Sequence, residues 1–85
     1  MAAADDLESI ANYLYLNHPS FASATLRRLY DAAKSLKNFP SMGRPGMKAG
    51  TRELVLAPLP YILIYAVDDN AIQILRFLHT SRDRS

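Results

Sequence analysis

Five side chains in the second half of the chain could work on an anion: Arg44, Arg52, Arg76, His79 and Arg82. Arginine grips phosphate through forked, charge-assisted hydrogen bonds. A histidine titrates near neutral pH and can carry a proton to or from a reacting group. Together they could hold a phosphate and move a proton beside it. The plainer reading stands next to this one. An arginine at a strand end is more often a surface cation, and a histidine more often a satisfied, half-buried group. Other chemistries find no support. The chain has no HExxH, phosphate-loop, GxSxG or dinucleotide glycine pattern. No cysteine and two distant histidines make no metal set, and the carboxylates do not pair as a two-acid mechanism needs. Neither metal nor cofactor is expected.

The elements that must position these residues lie mainly between Thr51 and Arg82. Three runs rich in Leu, Ile, Val and Tyr follow one another: Arg52–Ala57, Tyr61–Val67 and Ala71–Leu78. Such residues suit a pleated, half-buried surface. Pro58-Leu59-Pro60 removes ladder donors and ends the first run. Asp68-Asp69-Asn70 tolerates left-handed backbone and reads as a hairpin turn. Connections this short force antiparallel neighbours. Alternation puts Arg52, Leu54 and Leu56 on one face of the first strand, with Glu53, Val55 and Ala57 on the other. Tyr61, Leu63, Tyr65 and Val67 oppose Ile62, Ile64 and Ala66. Ile72, Ile74, Arg76 and Leu78 oppose Gln73, Leu75, Phe77 and His79. The middle strand is apolar on both faces, so one side of the sheet calls for a partner.

Two helices precede the sheet. Leu7, Ile10, Ala11 and Leu14 form one stripe in a helix from Ala3 to about Asn17, widened by Tyr13 and Leu16. Asp5, Asp6 and Glu8 sit early, where the helix dipole favours negative charge. Pro19 breaks the pattern and suits the first position of a second helix, Ser20 to Asn38. There Ala22, Leu26, Leu29, Ala33 and Leu36 keep helical spacing. The pair should form an αα-hairpin against one face of the sheet. Residues 39–50, FPSMGRPGMKAG, read as a loop without continuous helix or strand. Its length hints at a role, and Phe39 is expected to plug the core beneath it. The fold class is α+β: a two-helix antiparallel hairpin on a three-stranded antiparallel meander.

Eighty-five residues make one domain, residues 1–85, with ordinary globular composition and incomplete burial. The absence of cysteine fits a reducing cytoplasm. No signal peptide or membrane span is read. Net charge is +2 and uneven. All ten basic residues lie in 27–85, against Asp31, Glu53, Asp68, Asp69 and Asp83, which points to an anionic partner or a solvated basic surface.

The chain resembles the RelE/ParE superfamily, the toxins of bacterial type II toxin–antitoxin pairs, from Ala4 to Arg82. The likeness rests on Ala4-Asp5-Asp6-Leu7 with Ile10 and Tyr13, on Pro19 and the Ala/Leu-rich helix, and on Leu36, Pro40 and Gly43-Arg44-Pro45-Gly46. It continues through Gly50 to Leu54, Pro60 to Tyr65, and Ile74 to Asp83. The resemblance implies two helices on an antiparallel sheet and a cognate antitoxin whose C-terminal segment wraps the toxin. RelE-like members cleave mRNA on the ribosome with basic strand residues. Glu53, Val55 and Ile62 stand at the matching positions here. An acidic and two apolar residues cannot clamp a scissile phosphate. Of the RelE-like set only Arg82 remains, with His79 as a match to the histidine of YoeB-like members. ParE-like members lack that set, poison DNA gyrase by binding it, and end in a His-x-x-Arg-Asp pattern like His79 to Asp83.

The resemblance therefore implies a ParE-like toxin that acts by binding, growth-inhibiting and cytoplasmic, without catalysis of its own. Arg44, Arg52, Tyr61, Tyr65, Arg76, His79 and Arg82 are the residues expected to meet target or antitoxin. The alternatives are a ribosome-dependent mRNA interferase, with His79, Arg82 and Arg52 as its catalytic candidates, and a degenerate, non-toxic interaction module. The family opens with a strand before the first helix, whereas Met1 here directly precedes Ala2-Ala3-Ala4. Loss of that strand would leave a sheet edge unpaired, so self-association is expected as well.

Overall fold

α1 (Ala2–Asn17) and α2 (Ala22–Ser35) are joined by His18 and one 3-10 turn at Pro19–Phe21. β1 (Arg44–Pro45), β2 (Thr51–Val55), β3 (Tyr61–Asp68) and β4 (Ala71–His79) follow. The computed structural model describes residues 2–69 and 71–81. Met1, Asn70 and residues 82–85 lie outside that description, and with them the candidate Arg82 and the last residue of the expected hairpin turn.

The helical stripes lie where their spacing puts them. Ala3, Ile10 and Leu14 of α1 and Ala22, Leu29 and Leu36 of the second helix and its terminal turn are buried. They pack on Tyr61, Leu63, Tyr65 and Phe77 of the sheet, with Leu7, Leu26, Leu54, Ile72 and Ile74 around them. Pro19 opens a tight turn before α2 starts at Ala22, so the second helix begins two residues later than the proline alone suggests. The turn between β3 and β4 holds Asp69 at φ 44°, the left-handed backbone that its short polar side chain tolerates.

The sheet runs β1-β2-β3-β4, antiparallel throughout. It has four strands rather than the three expected. The extra one is a two-residue pairing inside the 39–50 loop, Arg44 with Glu53 and Pro45 with Arg52. A pairing so short has no periodic signal, and Pro45 lacks the N–H that a further neighbour would need, which suits an edge. Gly46 N–H to Thr51 O at 2.8 Å closes it.

The second correction concerns β4. The register slips between Ile64 and Tyr65: Ile64 faces Arg76, but Tyr65 faces Ile74. Leu75 is therefore a bulge, one surplus residue opposite a regular strand. Simple alternation places Ile72 and Ile74 with Arg76 and Leu78. With the bulge they share the helix-side face with Phe77, and Arg76 and Leu78 turn to the other face with Ile64 and Ile62.

Three apolar residues also fall outside the expected core. Tyr13 is 41% exposed and Leu16 82%, so the α1 stripe is narrower than read, and Phe39 is 62% exposed. Phe39 N–H bonds Ser35 O, continuing the terminal turn of α2, and the buried side chain of that turn is Leu36.

Candidate functional site

The loop that carries Arg44 is fastened to the sheet from below. Tyr65, fully buried on β3, donates its hydroxyl to Pro40 O at 2.8 Å and accepts the Gly43 N–H at 2.9 Å. Both bonds reach more than twenty residues back along the chain. Gly43 is required there, because a Cβ would stand 2.8 Å from the Tyr65 ring and hydroxyl. Arg52, paired with Tyr65 in the sheet, donates to Gly43 O at 2.7 Å. Arg44 meets the buried carboxylate of Glu53 at 3.2 Å while its own side chain stays 57% exposed. Pairing and hydrogen bonding let this carboxylate sit inside the fold. Arg52 and Tyr65 thus meet at Gly43, while Arg44, the next residue, turns to Glu53 on the other face of the sheet.

The other candidates lie elsewhere. Tyr61 begins β3 and is opposite His79 on β4, with the rings edge to face at 5.5 Å and 89°. His79 Nδ1 accepts the Ser81 N–H at 3.2 Å. Arg76 lies between the two ends, where its Nε and Nη2 hold the Asp6 carboxylate of α1 at 2.7 and 2.9 Å. Phe77 N–H donates to Asp6 Oδ2 at 3.0 Å. Burial raises the Asp6 pKa, but the Arg76 hydrogen bond, the Phe77 amide and the Arg76 charge outweigh it and leave the carboxyl below its ordinary value. The predicted set therefore divides among three places, and Tyr61 and Tyr65 are 3% and 0% exposed.

Asp6, Glu53, Gly43 and Pro40 were not singled out as site residues. Asp6 reads as a helix-dipole acid, and only the fold brings it seventy residues along the chain to Arg76. Glu53 carried a signal, a carboxylate inside the strand TRELV, which needs a cation if buried.

On the sheet face away from the helices, Val55 pairs with Ile62 and Ile62 with Leu78. Ile62 is 4% exposed and stands outside the helix-side core cluster, while Val55 is 44% exposed. Val55 and Ile62 are thus neighbours in an apolar row.

The family model described as ParE toxin of type II toxin-antitoxin system, parDE, matches residues 1–84. The chain is 37% identical over 73 residues to the protein named "Putative toxin Y4kP" of Sinorhizobium fredii (strain NBRC 101917 / NGR234), covering 86% of this chain and 75% of that one. It is 39% identical over 77 residues to "Toxin RelE2" of Caulobacter vibrioides (strain ATCC 19089 / CIP 103742 / CB 15), covering 91% and 85%. A solved structure, "Chromosomal ParDE TA system from P. aeruginosa", superposes with a TM-score of 0.83 at 28% identity, over 94% of this chain and 89% of that one. Helix hairpin, antiparallel sheet and sequence agree, and the chain belongs to the ParE toxin family of type II toxin–antitoxin systems.

Proposed function

We propose that this toxin acts in the cytoplasm by binding its target, DNA gyrase, and that a cognate antitoxin neutralises it by covering exposed apolar surface of the sheet. The observation that carries this reading is the row Val55, Ile62 and Leu78. Val55, the exposed member of that row, gains from contact with an apolar protein segment, and the charged side chains on the same face, Arg44, Glu53 and Arg76, are already bonded within the fold. The arginines favour the same reading. Arg44, Arg52 and Arg76 bind Glu53, Gly43 O and Asp6 in turn. A phosphate clamp needs donors converging on one point, and these are directed to separate protein acceptors. Arg44, Arg52, Arg76 and His79 remain the candidates for meeting a partner, Tyr61 and Tyr65 being buried, with Arg82 beyond the described residues. No helix among the described residues is long and apolar enough to cross a membrane.

The test compares two activities of one purified preparation. Supercoiling by gyrase is expected to fall with added toxin and to recover when antitoxin is supplied. Ribosome-bound mRNA is expected to stay intact. Cleavage lost in His79→Ala or Arg82→Ala would establish the interferase reading instead. Expression without antitoxin and without a growth defect would establish a non-toxic interaction module.

A further inference from the structure

The helix hairpin carries a groove of about 1000 Å³ between α1 and α2, and none of its lining comes from the sheet. Its floor is apolar. Leu7 and Ala11 of α1 and Leu26 of α2 are half-buried there, and Leu7 and Leu26 rest on the core. Ser23 and Ala24 keep the α2 wall low, so a side chain from outside can enter. Tyr30 stands at the groove with 62% of its surface exposed.

The rim carries both signs of charge. Glu8 of α1 and Asp31 of α2 share it with Arg27, Arg28 and Lys34, and all five are exposed. On α2 the acid lies three or four residues from each base, spacings at which helical ion pairs form. Among the described residues none of the five makes an ion pair within the chain. Lys34 lies over the Tyr30 ring instead, 5.6 Å from its centre. On the sheet, by contrast, Arg44 and Arg76 are each bound to a carboxylate.

These charges discriminate among occupants. A wholly acidic segment would be set against Glu8 and Asp31, and a wholly basic one against three cations. A nucleic-acid backbone would meet the same two acids and gain nothing from an apolar floor. A surface with both signs over an apolar floor is complemented by the same surface turned about a two-fold axis. We propose that the groove docks a second copy of this chain, with Glu8 and Asp31 of each copy on Arg27, Arg28 and Lys34 of the other. Each Tyr30 enters its neighbour's groove as the aromatic anchor. The two hairpins then form a four-helix layer, and the sheet face that carries Val55 is left to the antitoxin. The inference is independent of the toxin's target.

The experiment uses the full chain, with sedimentation equilibrium for mass and circular dichroism for folding. An acid-reversed chain carries Glu8→Lys and Asp31→Lys. A base-reversed chain carries Arg27→Glu, Arg28→Glu and Lys34→Glu. Two copies of either reversed chain bring like charges together around the whole rim, whereas a mixed pair brings only opposite ones. Wild type is expected to dimerise, and each reversed chain alone to associate at least about tenfold more weakly. Their equimolar mixture should recover a dimer. Tyr30→Ala should weaken the wild-type dimer by a similar factor. A folded wild type that stays monomeric overturns the proposal, and antitoxin seated in the groove of that monomer would identify the occupant instead. Reversed chains that dimerise as wild type does, or a mixture that stays monomeric, overturn it as well. If a reversed set fails to fold, Tyr30→Ala and the single variant Asp31→Lys decide. Association as tight as wild type in both overturns the docking.

Discussion

At the scale of single residues, Tyr65 shows how one hydroxyl positions a loop. Buried at 0% exposure, it serves Pro40 O and the Gly43 N–H together. Tyr65→Phe keeps the ring but leaves both backbone groups without that partner. Unfolding in urea should show a loss of about 1–3 kcal/mol with an unchanged slope. Gly43→Ala should destabilise the same loop, and the double variant should cost less than the two single costs added, since both act on one contact. Asp6 supplies a pH test. Its folded pKa lies below the ordinary 3.8, with the Arg76 and Phe77 bonds outweighing burial. The native state therefore binds fewer protons than the unfolded chain, and stability rises with pH across that window. The contribution is complete above the unfolded value and is lost as pH falls through the folded one. Asp6→Asn lacks it, so the stability gap between wild type and variant should be widest at neutral pH and close in acid. Denaturation midpoints across a pH series read that gap.

At the scale of elements, the bulge in β4 decides which side chains see the helices. Ile72 and Ile74 join Phe77 on the core side because Leu75 is surplus. Deleting Leu75 removes the extra residue without changing the face of any other. The shortened protein is expected to fold with Ile64 still opposite Arg76 and Tyr65 still opposite Ile74, as cross-strand NOEs would record. If the two halves of β4 exchanged faces, Arg76 would be forced into the core and folding should fail. The helix hairpin was easy to read because its stripes recur at helical spacing. The bulge was not, because alternation fits the run Ala71–Leu78 equally well from its start and gives no mark where the phase slips. The two-residue β1 was unreadable for a related reason: pairing there is a property of Glu53 and Arg52, not of Arg44 and Pro45 alone.

At the scale of the whole molecule, charge is unevenly placed along the chain. The first 26 residues hold Asp5, Asp6 and Glu8 and no basic residue, while the net charge of the chain is +2. An antitoxin segment with acidic flanks would be drawn to the later part before its apolar side chains dock on the sheet. Raising ionic strength should then slow association strongly and change dissociation little, as stopped-flow mixing of toxin and antitoxin would measure. A salt-independent association rate would place recognition in apolar contact alone.

Local pattern was enough to specify the α+β class, the hairpin of helices and the three long strands, because side-chain periodicity and turn residues act over a few positions; the family was legible only as a resemblance of motifs strung along the chain. Arg44, Arg52 and Arg76 were also visible as the cations of interest. What each cation does was settled only by folding. Glu53, Gly43 O and Asp6 are brought to them by strand register and by α1 crossing β4, and no spacing along the chain encodes those meetings. The physical reason is that a hydrogen bond depends on distance in space, and distance between remote residues is set only when the whole core closes.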